Sequence, residues 1–291
     1  MSSSVHHFLT EFNQLLTEFN QHRRWLVLTG AGISLSTGIP TYRNDQGQWI
    51  RSTPIKHHEF IQNPTIRKRY WARSILGWPS VANATPSNSH IALAKLERQQ
   101  RLTGLITQNV DRLHQQAGHQ QVIDLHGRLD RVRCLQCSSF ESREQLQQRL
   151  LTRNPFLLHI SGLTAPDGDA SFHDPQLEES ITEQLQPVPC LICGGTLMPD
   201  VVFFGGTLAK ETHTAVQQLL QQSQGVMVVG SSLMVYSGYR ICKQAYQEGK
   251  PLLIINRGVT RADELASLKI SGDCEYTLQQ LVENTCINDP L

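Results

Sequence analysis

A chain of 291 residues can bury a full core, and it exceeds the usual span of about 100–200 residues per domain, which predicts one large domain with a smaller one attached. Lysines and arginines total 26 against 25 aspartates and glutamates, a formal charge of +1, so no global field draws the protein to nucleic acid or to a membrane. The longest apolar runs fall far short of the roughly 20 residues that span a bilayer, and the amino terminus lacks a signal-type apolar segment, so a soluble intracellular protein is expected. Seven cysteines, with two pairs in Cys-x-x-Cys spacing, fit a reducing compartment and a metal better than a disulfide framework.

In chain order, Val5, Leu9, Phe12, Leu16 and Phe19 fall at helical spacing and predict an amphipathic helix within residues 1–24, docked on its own domain. Trp25-Leu26-Val27-Leu28 is an apolar, β-prone run that breaks into Thr29-Gly30-Ala31-Gly32-Ile33-Ser34 before residues able to begin a helix. Strand, glycine turn and helix start form the unit that holds a pyrophosphate: Gly30 permits a tight turn, Gly32 lets backbone approach a phosphate, and N–H groups at the helix start face the anion. A nucleotide is expected, although the next glycine is Gly38 rather than the third glycine of the usual dinucleotide fingerprint. Residues 44–76, polar, aromatic and basic with Arg67-Lys68-Arg69 and Trp71, read as a helical insert. Residues 89–100 resume as an amphipathic helix, 102–107 as a strand ending at Gln108-Asn109-Val110-Asp111, and 122–125 as a short strand ending at His126-Gly127. Residues 128–205 change to turns, glutamines and cysteines. Residues 225–230 and 252–256 are then buried strands separated by a helix-length segment. The fold class is therefore α/β. A Rossmann-like parallel sheet with helices on both faces is assembled from 25–43, 77–127 and 206–291, and a smaller zinc-ribbon and helical part comes from 128–205 and 44–76. The polar residues Gly30, Gln108, His126, Gly230 and Asn256 follow strands, at the carboxyl edge where open α/β sheets place ligands.

Cys134-Leu135-Gln136-Cys137 and Cys190-Leu191-Ile192-Cys193 form two knuckles that together offer four thiolates to one tetrahedral ion, with no spare ligand, hence a structural zinc. About 50 residues separate them, more than the ~15–20 of a compact ribbon, so a helical arm over 142–152 and a loop around Pro166-Asp167-Gly168 are inserted between. Cys242, Cys274 and Cys286 carry no ligand spacing and read as small buried hydrophobes. His126 at a strand end is a candidate general base, since neutral imidazole accepts a proton near pH 7; a lone histidine is more often a hydrogen-bonded structural residue or, beside cysteines, a zinc ligand, though four cysteines already fill that shell. Asn109 and Asp111 fall where they could orient a sugar or amide, and both are also ordinary turn and cap residues.

Taken together, these segments resemble the sirtuins, NAD-dependent protein lysine deacylases. The resemblance rests on Gly30-Ala31-Gly32-Ile33-Ser34, Gly38-Ile39-Pro40, Tyr42-Arg43, Thr107-Gln108-Asn109-Val110-Asp111, Leu113-His114, Ala117-Gly118 and Leu125-His126-Gly127. It continues through the two knuckles, Pro199-Asp200-Val201-Val202-Phe203-Phe204-Gly205, Gly230-Ser231-Ser232-Leu233 and Ile254-Ile255-Asn256-Arg257-Gly258, nearly everything from Trp25 onward in family order. Arg69-Tyr70-Trp71-Ala72-Arg73 and Gly77-Trp78-Pro79 are similar to the class II branch of bacteria and mitochondria. The resemblance implies that NAD is the co-substrate and lies across the sheet edge. Gly30, Ala31, Gly32 and Ser34 would stand near its phosphates with Pro40, Tyr42 and Arg43 in the loop over them. Gln108 and Asn109 would hold the nicotinamide ribose, and Ile33, Val110 and Asp111 the nicotinamide pocket. Gly230, Ser231, Ser232, Asn256, Arg257, Gly258 and Cys274 would hold the adenosine half, and Val201, Val202, Phe203, Phe204 and Gly205 would pair with an acylated peptide as an added strand. His126, with Asn109, would be catalytic: the acyl oxygen displaces nicotinamide, then His126 takes a ribose hydroxyl proton, leading to free lysine and O-acyl-ADP-ribose.

Two positions depart from the family pattern: Gly206 where glutamate is usual and Thr41 where aspartate is usual. No tyrosine and arginine three residues apart follow Arg43, so succinyl-lysine is not the expected substrate. The alternatives are protein mono-ADP-ribosyl transfer, a non-catalytic zinc-ribbon module binding nucleic acid, which the near-neutral charge disfavours, and a hydride-transferring dehydrogenase, which release of free nicotinamide on turnover would exclude. Acylated proteins or peptides are the expected partners, without nucleic acid or membrane. The expected location is the cytoplasm of a bacterium, or the mitochondrial matrix if the source is eukaryotic.

Overall fold

The protein is described from a computed structural model that covers residues 3–50, 54–160, 163–164, 168–172 and 174–286. Six parallel strands form the central sheet: β1 (Trp25–Thr29), β2 (Leu102–Thr107), β3 (Val122–Asp124), β9 (Gly225–Val229), β10 (Leu252–Ile255) and β11 (Leu268–Ile270). Their order is β11-β10-β9-β1-β2-β3. From β1 the chain builds outward through β2 and β3, then returns to the opposite side of β1 and builds through β9, β10 and β11. The connections therefore leave β1 and β9 in opposite directions, which makes the carboxyl ends of these two strands the topological switch point.

β1, β9 and β10 are buried along their whole length, as strands covered by helices on both faces must be, and this is why they read as continuous apolar runs. Alternate residues face opposite sides. Trp25, Val27, Met227, Val229, Leu253 and Ile255 pack with Phe12, Leu15 and Phe19 of α1 (Ser3–Gln21), Leu93 and Leu96 of α4 (Asn88–Arg98) and Leu278 and Leu281 of α10 (Cys274–Cys286). Leu26, Leu28, Val226, Val228, Leu252 and Ile254 pack with Val216 and Leu220 of α8 (Lys210–Gln222) and Ile241 and Ala245 of α9 (Tyr236–Gln247). The buried stripe of α1 is Phe12, Leu15 and Phe19, not the expected line through Leu9 and Leu16: Leu9 is exposed and Leu16 is half-buried, because the face that meets the sheet follows spacings of three and four residues rather than the seven-residue repeat. The Val5 side chain lies outside the described residues.

The smaller body is one unit. It comprises α2 (His57–Gln62), α3 (Pro64–Ala82), α6 (Arg143–Arg153) and α7 (Pro175–Gln184) with an antiparallel sheet in the order β5-β4-β8, from β4 (Gly127–Cys134), β5 (Phe140–Ser142) and β8 (Leu197–Val201). A two-stranded ribbon, β6 (Leu163–Thr164) and β7 (Ala170–Ser171), completes it. Phe60, Tyr70, Trp71 and Ile75 from the first insert share a core with Val132, Leu146, Leu150, Ile181, Leu197 and Met198 from the second, so the two sequence inserts bury each other's apolar faces. α3, started by Asn63, whose side chain accepts the amide of Thr65, and by Pro64, runs through residues 76 and 77 to Ala82, past the expected end of the insert. Pro166 and Asp167 of the expected loop lie outside the described residues. No helix among the described residues is long and apolar enough to cross a membrane.

Candidate active site

The glycine turn after β1 and the one after β9 interlock at the switch point. Gly30 N–H donates to Val229 O at 3.3 Å and Gly32 N–H to Gly230 O at 2.8 Å. A Cβ on Gly30 would lie 2.7 Å from Ser231 Cβ, and one on Gly32 would lie 2.8 Å from Gly230 O, so both positions need glycine to let the two backbones touch. The expected helix start is a 3-10 turn, Ala31–Thr37, and it uses its amides differently from the expectation. Gly32 N–H is taken by Gly230, and Ile33 N–H donates to Gly30 O at 3.1 Å, so neither is aimed at an anion.

A cavity of about 660 Å³ opens above this junction and runs between the sheet edge and the smaller body. Its wall includes Gly30, Ala31, Gly32, Ile33, Tyr42, Arg43, Gln108, Asn109, Val110 and His126 of the expected site. It also includes Val201 to Gly205, Gly230, Ser231, Ser232, Asn256, Arg257, Gly258 and Cys274. Ser34 and Asp111 are buried behind the wall, and Pro40, half-buried, does not line it. Ser34, fully buried, donates from Oγ to Asp111 Oδ2 at 2.9 Å and accepts from Asn109 Nδ2 at 3.1 Å, while Asp111 Oδ1 accepts the Leu113 amide at 3.0 Å. Burial raises the Asp111 pKa, and the hydrogen bonds from Leu113, Ser34 and Asn109 oppose the rise. This buried network fixes the Asn109 side chain from below.

Gln108 ties the strand ends together. Its Nε2 donates to Ser231 Oγ at 2.7 Å and to Thr29 O at 3.1 Å, and its backbone N–H also bonds Thr29 O, at 3.0 Å. Its own carbonyl lies 3.0 Å from His126 Nδ1. A carbonyl only accepts, so Nδ1 carries the proton and Nε2 is the basic nitrogen. Burial lowers the His126 pKa, partly offset by the Gln108 carbonyl, so the ring is neutral at pH 7. Arg43 folds back on its own loop: Nη1 donates to Gly47 O at 2.7 Å and the guanidinium sits 4.1 Å from the Trp49 ring centroid. The loop is pinned from the other side where Val259 N–H donates to Asp45 O at 2.9 Å.

On the far wall, β8 leads into residues 202–206, where Val202 N–H bonds His126 O at 2.8 Å and His57 N–H bonds Phe204 O at 2.9 Å. Phe203 stacks on Phe60 at 5.0 Å, anchoring the segment in the smaller body's core, and Phe204 meets Trp49 at 5.6 Å. Several wall residues were not expected from the sequence: Trp49, Ile55, Tyr70, Leu129, Asp169 and Ser237 among them. Most belong to the smaller body or to loops distant in sequence and are brought in by the packing of the inserts, whereas Ser237 comes from the start of α9 on the parallel sheet.

The four cysteine sulfurs lie within 4.8 Å of one another, with Cys134 to Cys193 at 3.5 Å and Cys137 to Cys190 at 3.8 Å. Four thiolates at about 2.3 Å from a zinc ion stand about 3.8 Å apart, so the donor set fits a tetrahedral structural ion. Hydrogen bonds from Ser139 and from backbone amides lower the Cys190 pKa, while the neighbouring thiols raise that of Cys193. His126 takes no part in the cluster. Cys242 is fully buried and Cys274 half-buried on the cavity wall; the Cys286 side chain lies outside the described residues.

The Sir2 family model matches residues 30–237. "NAD-dependent protein deacetylase 2" of Bradyrhizobium diazoefficiens is 45% identical over 271 residues, covering 93% of this chain and 97% of that protein. "NAD-dependent protein deacetylase" of Xanthomonas axonopodis pv. citri is 45% identical over 273 residues, covering 94% and 89%. Among solved structures, one described as "Sir2-p53 peptide-NAD+" superposes with a TM-score of 0.71 at 28% identity, covering 94% of this chain and 98% of that one. Another, "Structure of Sir2Tm bound to a propionylated peptide", gives 0.71 at 28% identity, covering 96% and 100%. An interlocked glycine junction, a neutral histidine beside it and a four-sulfur knuckle thus occur in a chain that belongs to the Sir2 family.

Proposed function

We infer that the protein is an NAD-dependent protein lysine deacylase of the bacterial class II type. The observation that carries the reading is the single cavity that brings His126, the paired glycine turns and the strand after β8 to one wall-to-wall space. Gly30, Ala31, Gly230, Ser231 and Ser232 hold the dinucleotide at the switch point, with Asn256, Arg257, Gly258 and Cys274 toward its adenosine half. Gln108, Asn109, Ile33 and Val110 hold the nicotinamide riboside, and Ser34 and Asp111 act by fixing Asn109 rather than by contact. Residues 201–205 take the substrate backbone, a mode that reads few side chains and so accepts many sequences.

Apolar walls disfavour the cationic nicotinamide, and binding energy from the rest of NAD holds it in place while the acyl oxygen displaces it. His126, neutral and held by the Gln108 carbonyl, then accepts the ribose hydroxyl proton. A zinc ion held by Cys134, Cys137, Cys190 and Cys193 would be structural, since four sulfurs would leave it no open position. The bacterial relatives support a cytoplasmic location and acylated proteins as substrates.

Incubation of the protein with NAD and an acetyl-lysine peptide is expected to yield nicotinamide and O-acetyl-ADP-ribose in equal amounts by mass spectrometry. The His126→Ala variant should lose about 10²–10⁴ in turnover. ADP-ribose left on protein with no acetyl transfer would instead assign ADP-ribosyl transfer, and an intact nicotinamide after turnover would refute both.

A further inference from the structure

Both ring nitrogens of His126 are already engaged. Nδ1–H donates to the Gln108 carbonyl at 3.0 Å, and Nε2 lies 2.7 Å from Ser237 Oγ. Since Nδ1 holds the ring proton, Nε2 receives the serine hydroxyl's proton. A general base needs a vacant lone pair at the point where the substrate proton arrives, and here that lone pair faces Ser237. The serine is itself half-buried and lines the same cavity.

Its placement is rigid. Ser237 is the second residue of α9, and the next residue, Gly238, packs against Gln108 so closely that a Cβ would lie 2.7 Å from Gln108 Oε1. Gln108 therefore fixes both partners, the ring through its carbonyl and the helix start through its side chain. The turn into α9 passes through Leu233 at φ +56°, a left-handed conformation that is costly for a residue with a β-carbon and persists only where the surroundings demand it.

We propose that Ser237 is a second catalytic residue, whose hydroxyl carries the ribose proton to His126. The inference rests on the reading of His126 as general base. In the step, the ribose O–H bond breaks as its proton joins Ser237 Oγ, and the serine O–H bond breaks as its former proton joins His126 Nε2. The ring becomes an imidazolium, still donating from Nδ1 to Gln108, the serine is regenerated, and the freed ribose oxygen pair forms the new C–O bond at the acyl carbon of the O-alkylated amide as its C=N π pair withdraws onto the lysine nitrogen.

The test uses the full-length zinc protein with NAD and an acetyl-lysine peptide, comparing Ser237→Ala and Ser237→Thr with wild type. Two rates are read: deacetylation, and incorporation of labelled nicotinamide into NAD, which reports the glycosidic step before the proton transfer. Ser237→Ala should lower deacetylation at least about 10-fold and leave nicotinamide exchange within about 2-fold, and Ser237→Thr should restore most of the loss because it keeps the hydroxyl. Melting temperatures equal to wild type will show that α9 is intact, as alanine is a better helix former than serine. Undiminished deacetylation in Ser237→Ala, a parallel fall in both rates, or a threonine variant no better than alanine would overturn the proposal. His126→Ala separates the two readings. Full activity there refutes the general base itself, whereas an inactive His126→Ala beside a fully active Ser237→Ala removes only the serine's role.

Discussion

Gly230 stands at φ +60°, and a Cβ there would lie 2.4 Å from the Ile33 amide nitrogen, which cannot yield without opening the junction of the two glycine turns. Backbone strain and overlap add, so Gly230→Ala is expected to destabilise the protein by about 2–4 kcal/mol and to weaken NAD binding at least tenfold in calorimetry. Gly249, at φ +69° with nothing within 4 Å, isolates the first contribution. Gly249→Ala should cost only about 1–2 kcal/mol and leave NAD affinity unchanged. For His126, burial holds the pKa down, so the ring stays in its basic form further into acid than free imidazole does. The acidic limb of kcat/KM is therefore expected below the usual pKa of about 6.5, so that more than half of the plateau activity persists at pH 6.5. A limb centred above pH 7 would contradict the neutral ring described above.

Where α4 meets the short helix α5 (Leu113–Gln116), His90, His114 and His119 form a buried cluster of mutually inclined rings, with centroids 4.7 Å and 5.3 Å apart. His114 Nε2 lies 2.9 Å from Thr29 Oγ1 at the end of β1, and His90 Nδ1 lies 2.7 Å from Ser87 Oγ before α4. Burial, reinforced by the mutual repulsion of the rings, brings His90 down to about 3 and His114 well below its ordinary value. The folded chain then binds fewer protons here than the unfolded chain once pH drops below 6.5, so stability falls with acid. Each of these two histidines is expected to remove about 1.4 kcal/mol per pH unit below 6.5. Denaturation midpoints measured from pH 7.5 to 5 should fall accordingly, and His90→Asn should flatten the slope. A midpoint independent of pH in that range would disprove the linkage.

The cavity is walled by two bodies, the parallel sheet and the unit in which the four-cysteine cluster joins the end of β4 to the turn that leads into β8. A strong chelator should abolish deacylation while leaving most of the helical circular dichroism, with activity returning on adding zinc. Loss of the whole spectrum would mean that the metal holds the sheet as well. Much of this plan was legible in the residues: β1, β9 and β10 are apolar throughout because both their faces are covered, and the knuckle spacing announced the zinc cluster. What was not legible depended on packing between distant segments. Ser237 reaches His126 across 111 positions of sequence, and Tyr70 and Asp169 reach the cavity only because the two inserts share a core. Nor did any local pattern show that the Gly32 amide would serve Gly230, or that Leu15 rather than Leu9 would face the sheet. Strand order, too, carries no local signature. Trp25 pairs with Gly225, so β1 sits in the middle of the sheet with one flank unpaired until the 200 residues that separate these partners have been made. A nascent chain in that state exposes a bare apolar edge, so slow assembly and a need for chaperones during synthesis follow from the topology, and carboxyl-terminal truncations short of β9 should accumulate as insoluble material.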